Sequence, residues 1–210
     1  DSGQIIVHQV SVRNSSPLAM VLPVPTRRQL GASALRFIAL DGYPEFFDDV
    51  EMLFPKARPA PSSAGAPIGS AEGIPVQNVG AFEASFVPER SQLDRLDRRF
   101  RLPDLFFASL PHYKSYGFAV FRLEQGASSH PIAFEFQAQT PGSLFFPTVQ
   151  LHDVQLRAKA RFDHVLYCQS RMPPSPCFSK AWRTSASPPS MHVDTSRAAG
   201  LLDPSVLMHR

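Results

Sequence analysis

The sequence is short of charge, of cysteine and of long apolar runs, and each shortage narrows what the chain can be. Asp, Glu, Lys and Arg make up 19% of its 210 residues and the net charge is +3, against roughly a quarter charged in ordinary soluble domains. The densest basic stretch, Arg95, Arg98, Arg99 and Arg101, is interleaved with Asp94, Asp97 and Asp104. A nucleic-acid face needs a sustained patch of one sign, so no nucleic-acid partner is expected. The two cysteines, Cys168 and Cys177, form no CxxC pair, and a disulfide between them would require an oxidising compartment. No apolar run approaches the ~20 residues of a membrane span. The chain begins at Asp1 without Met, as a processed or trimmed product would, which leaves the compartment open between cytoplasmic and secreted after signal removal. There is no GxSxG elbow, no GxxxxGK[ST] loop, no GxGxxG and no HExxH, which removes the enzyme classes those motifs define.

Proline and phenylalanine are abundant instead. Proline occurs 21 times, about twice ordinary usage, which interrupts elements and disfavours helix bundles and doubly wound folds. The 17 phenylalanines and a 43% apolar fraction supply a sizeable core. Between Tyr116 and Cys168 four aromatic and β-branched runs alternate with turn residues: YGFAVFRLE, HPIAFEFQA, LFFPTVQLHD and KARFDHVLYC. This is the pattern of an antiparallel meander. Earlier strands are expected over Gln4–Val12, with Ile6 and His8 on its more apolar face, over Leu18–Val24, over Leu35–Leu40, and within Val76–Pro88, with Phe82, Ala84 and Phe86 on one face. Pro23 means that the Leu18–Val24 strand ends near Leu22 or lies at a sheet edge.

Helical spacing of Phe46, Phe47, Val50, Leu53 and Phe54 predicts a helix over Tyr43–Phe54, with Pro44 in its first turn and Asp48, Asp49 and Glu51 on a solvated face. Ser91 reads as an N-cap with Asp94 three residues on, followed by a second short helix, Pro103–Leu110. Lys56–Pro75 is built from Pro, Ala, Gly and Ser and reads as an exposed loop. The fold class this gives is α+β: one domain, residues 1–168, of mainly antiparallel sheet with a few short helices packed on it. Residues 169–210 form a proline-rich C-terminal arm, in which Trp182 docks and Ser196–Leu202 makes a short helix.

The order of LPVP (Leu22–Pro25), VGAFEASFVP (Val79–Pro88), RLP (Arg101–Pro103), GFAVFRL (Gly117–Leu123), HPIAFEF (His130–Phe136) and LFFPT (Leu144–Thr148) resembles a widespread bacterial family of unknown function. In that family a proline-rich strand precedes a helix and an aromatic meander. The resemblance covers about two thirds of the chain and rests on packing residues, so it implies no activity and no site.

The residue types that could carry chemistry are His130, His152, Asp153, Asp163, His164 and Cys168. Matching apolar residues across a hairpin of His130–Ala138 with Leu144–Asp153 favours the register that sets Phe134 near Val149 and His130 beside Asp153. An imidazole with a carboxylate partner serves as a base or a metal ligand. His152, His164 or His8 would supply further ligands for zinc or another divalent metal, if the strands bring them together. His164 and Cys168 lie four strand residues apart, ~13 Å, too far for one to activate the other. Packing residues outnumber these groups. The first functional expectation is therefore a non-catalytic binding or structural domain for a protein or small ligand. The alternative is a metal-assisted or acid–base enzyme centred on His130 and Asp153.

Overall fold

The computed structural model describes residues 3–9, 12–14, 18–54, 77–79, 82–96, 113–123, 126–128, 130–147, 165–170 and 182–210. The fold is α+β and mainly antiparallel sheet. The chain divides into two compact units, Asp1–Asp41 with Ala64–Arg157, and Gly42–Ser63 with Ala158–Arg210.

The described strands all belong to the first unit. They are β1 (Gly3–His8), β2 (Val12–Asn14), β3 (Leu18–Val24), β4 (Leu35–Ile38), β5 (Gln77–Val79), β6 (Phe82–Val87), β7 (Gly117–Leu123), β8 (Gly126–Ser128) and β9 (Ile132–Gln137). They make a three-stranded sheet in the order β1-β9-β4, a four-stranded sheet in the order β3-β7-β6-β5, and a β2-β8 ribbon. Period-two alternation then builds the core. Ile6, Leu35, Ile132, Phe134 and Phe136 from the three-stranded sheet meet Met20, Leu22, Val24, Phe82, Ala84, Phe86, Ala119 and Phe121 from the four-stranded one. Phe37 of β4 meets Phe121 of β7 edge-on at 5.3 Å, and Phe121 lies 6.2 Å from Phe134 of β9. Two sheets thus face each other across one aromatic layer, as in a β-sandwich.

Several sequence expectations hold within this frame. Ile6 is on the buried face of β1, Phe82, Ala84 and Phe86 share one face of β6, and Ile132, Phe134 and Phe136 share one face of β9. Pro23 sits inside β3, paired with Phe118, and β3 is an edge strand, where a missing N–H costs no ladder bond. Gly117 opens β7 where a Cβ would lie 2.7 Å from the Phe86 ring and 2.8 Å from the Thr26 hydroxyl, so only glycine fits that approach.

The meander is not formed. β9 pairs on one side with β1 (Phe134 opposite Ile6) and on the other with β4 (Phe134 opposite Phe37). β7 pairs with β3 and β6. Both edges of β9 are thus occupied, by Leu35–Ile38 and by Gly3–His8, and residues 148–153 of the expected hairpin lie outside the described residues. Residues 143–147 are not strand; instead the Gln4 side-chain amide bonds both peptide groups of Phe145, Nε2 to its carbonyl at 2.5 Å and Oε1 from its N–H at 3.1 Å. Ser91 does not cap a helix. Arg90–Arg95 is a 3₁₀ turn with Glu89 at its start and no side-chain cap. The Pro103–Leu110 helix, the 56–75 loop, His152, Asp153 and His164 lie outside the described residues.

In the second unit, α1 (Phe46–Met52) is shorter than the Tyr43–Phe54 expectation; of the expected stripe Phe46, Val50, Leu53 and Phe54 are buried and Phe47 is half-buried, and Tyr43 is buried with them. The C-terminal residues pair with two segments at once. Cys168 and His209 exchange backbone bonds of 2.8 and 2.7 Å, and Arg183 and Arg210 exchange bonds of 2.7 and 2.8 Å. His209 bridges both Cys168 and Thr184. Ala186 N–H donates to Leu53 O at 2.9 Å, which ties the segment to the end of α1. Val193, Ala198, Leu201 and Met208 are buried and Trp182 is half-buried. Ser196–Leu202 is a run of turns, not a helix, because Ala199 and Gly200 are both left-handed, at φ 51° and 74°, the backbone state that ends helices.

Candidate functional site

His130 precedes β9 at the end where His8 stands opposite Ile132. It is 7% exposed, its ring centroid lies 4.4 Å from that of Phe82, and its Nδ1 is 3.0 Å from Pro131 O. β1 and β4 hold both edges of β9, and Asp153, the expected partner of His130, lies outside the described residues. Among the described residues no three His, Cys, Asp or Glu side chains converge as a metal set. Cys168 is a free, half-buried thiol whose pKa burial pushes up, the opposite of what a nucleophile needs.

Two buried polar arrangements were not legible in the sequence. On the outer face of the four-stranded sheet, Arg122 and Glu83 stand opposite each other in register. Their ion pair of 2.7 Å has side chains only 11% and 9% exposed. In the second unit, Tyr43 OH donates to Asp49 Oδ2 at 2.5 Å and accepts the Asp194 N–H at 2.9 Å. Burial, then the Asp49 hydrogen bond, push the phenol up to about 12. Arg197 lies over the Tyr43 ring at 4.4 Å, donates twice to Gly42 O and pairs with Glu45 at 2.9 Å. Asp194 Oδ1 accepts from the Ser196 hydroxyl and from the Ser196 and Arg197 amides, and these bonds hold its carboxyl below the usual range. The acidic face expected on the helix is thus partly engaged: Asp49 by Tyr43, and Glu51 by Tyr167, whose phenol is raised by burial and by that carboxylate.

A third arrangement is made of loops. Residues 25–34, 113–116 and 138–147 meet at one end of the sandwich, beyond the C-terminal end of β3 and the start of β7. Gln139 Nε2 donates to Thr26 O at 2.9 Å and to Ser115 O at 2.6 Å, so one amide braces all three loops. Arg27 Nε donates to Ala138 O at 3.2 Å, and Arg28 donates to Lys114 O. Tyr116 is 5.0 Å from Tyr113 and 6.0 Å from Phe145, and Phe145 packs on Phe136 of the core. Rigid loops on a β scaffold are where binding surfaces are commonly built. No sequence signal joined these loops, because Arg27 and Arg28 are separated from Lys114 by more than eighty residues, whereas the densest basic stretch in the sequence, Arg95 to Arg101, is contiguous and lies mostly outside the described residues.

Comparison of the chain with family models, with curated proteins and with solved structures returns no match to any of the three. The bacterial resemblance therefore adds no residue role to those derived above. Among the described residues no helix is long and apolar enough to cross a membrane.

Proposed function

We propose that the chain is a non-catalytic binding domain: a braced β scaffold that presents loops to a protein or small-ligand partner. The observation that carries this reading is where the buried polar groups go. Glu83 is committed to Arg122, Tyr43 to Asp49 and the Asp194 amide, and the His130 imidazole lies against Phe82 with its Nδ1 at Pro131 O. Side chains held in this way support the frame. An acid, base or metal ligand must instead be aimed at a reacting atom within hydrogen-bond reach.

The alternative, a metal-assisted or acid–base enzyme centred on His130 and Asp153 with His152 and His164 as further ligands, is separated by metal content. Elemental analysis of the natively purified chain is expected to find no stoichiometric zinc or other transition metal. Stoichiometric metal that is lost in a folded His130→Ala variant would overturn the binding reading in favour of the enzyme.

A further inference from the structure

The three braced loops at the end of the sandwich carry charge of one sign. Residues 25–34, 113–116 and 138–147 contain Arg27, Arg28 and Lys114 and no Asp or Glu. Arg28 and Lys114 are exposed and Arg27 is half-buried. Among the described residues none of the three has a carboxylate partner; the bonds of both guanidinium groups go to peptide carbonyls. That arrangement matters twice. A carbonyl orients a guanidinium without neutralising it, and a guanidinium has five N–H donors, so donors remain for a ligand after one carbonyl bond. The braces also fix the cations before a partner arrives, which lowers the ordering cost of binding. In two of the same loops Leu30 and Leu144 are 42% and 55% exposed.

From this juxtaposition we infer that the loop end of the sandwich is a docking surface for an acidic peptide segment of a protein partner. Charge complementarity selects the anion. The two exposed leucines select a peptide over free phosphate or a polynucleotide backbone, because they match apolar side chains interspersed with carboxylates. Carboxylates fit the planar donor fork of arginine, and the short separation of loops on one rigid scaffold suits an extended segment. The assignment rests on the reading of the chain as a binding domain and names the kind of partner that domain takes.

The test uses the full chain and a fluorescein-labelled peptide of glutamates interspersed with leucines, followed by anisotropy at two salt concentrations. The Glu-to-Gln peptide, inorganic phosphate and single-stranded DNA serve as competitors. The acidic peptide should bind, weaken with added salt, and lose affinity on the order of tenfold in Lys114→Glu. Arg183→Glu, which makes the same change in net charge at an exposed position of the second unit, should leave binding unchanged. Lys114 has an exposed side chain, and an unchanged unfolding midpoint for Lys114→Glu establishes that the variant is folded. Equal loss in Arg183→Glu, equal binding of the Gln peptide, or displacement by phosphate or DNA at lower concentration than by the unlabelled peptide would overturn the assignment. If the peptide fails to bind while the chain holds no stoichiometric metal, the surface assignment falls and the binding reading stands. Stoichiometric metal removes the binding reading itself.

Discussion

Phe134 is wholly buried between the two sheets, 6.2 Å from both Phe121 and Phe136, and its place was visible in the sequence because Ile132, Phe134 and Phe136 alternate with smaller and polar residues. Phe134→Ala should cost about 3–5 kcal/mol in urea unfolding; a loss under about 1 kcal/mol would mean the ring is not in the core. Glu83 and Arg122 gave no such signal. Each is a polar residue in an otherwise apolar run, and only the β6–β7 register makes them partners. Removing one member of a buried pair strands the other charge, so Arg122→Ala should destabilise by about 3–5 kcal/mol. Replacing both with apolar residues of similar size should cost far less. A double variant as unstable as the single one would show that the two side chains do not act as a pair.

At the scale of elements, strands and the apolar stripe of α1 were legible because they are local. Their neighbours were not. β9 pairs with β1 across more than a hundred residues of chain and with β4 nearly as far away, and hairpin spacing carries no information about such partners. The expected His130–Asp153 pair rested on a local hairpin, whereas the described partners of β9 are distant strands; Asp153 lies outside the described residues. The Arg27, Arg28 and Lys114 cluster was missed for the complementary reason, being assembled from separate loops. The Tyr43 network is likewise non-local, joining the start of the α1 segment to Asp194. Its protonated phenol is favoured by the fold, since its pKa rises from 10.0 to about 12. The resulting stability is therefore fully present below pH 10 and is lost as pH climbs toward 12. Tyr43→Phe should be less stable at neutral pH by about 1–3 kcal/mol, having lost both hydrogen bonds. It should also lose less stability than the wild type between pH 10 and 12. Urea midpoints measured across that range check both parts, and parallel curves for the two proteins would contradict the network.

At the scale of the molecule, composition alone argued for a loose C-terminal tail, given its prolines and weak periodicity, while Trp182 and the late leucines argued for packing. Residues 182–210 in fact make backbone bonds to Cys168 and Leu53, and the Gln169 side-chain amide makes three bonds to Asp203 and Val206. Limited trypsin digestion should leave Arg183 and Arg197 uncut until the chain unfolds. The emission of the single Trp182 should be blue-shifted and should move red in the same transition. Early trimming at Arg183 with a solvent-exposed spectrum would contradict a folded second unit.

The pairing of β9 sets the core face and fills both of its edges with strands distant in sequence. Cross-strand nuclear Overhauser contacts from Phe134 test it most directly. The fold predicts contacts from the Phe134 residue to Ile6 on one side and to Phe37 on the other, the two residues opposite it in register. Contacts from Phe134 to Val149 with none to Ile6 would show the hairpin, set His130 beside Asp153, and contradict the β1-β9-β4 pairing.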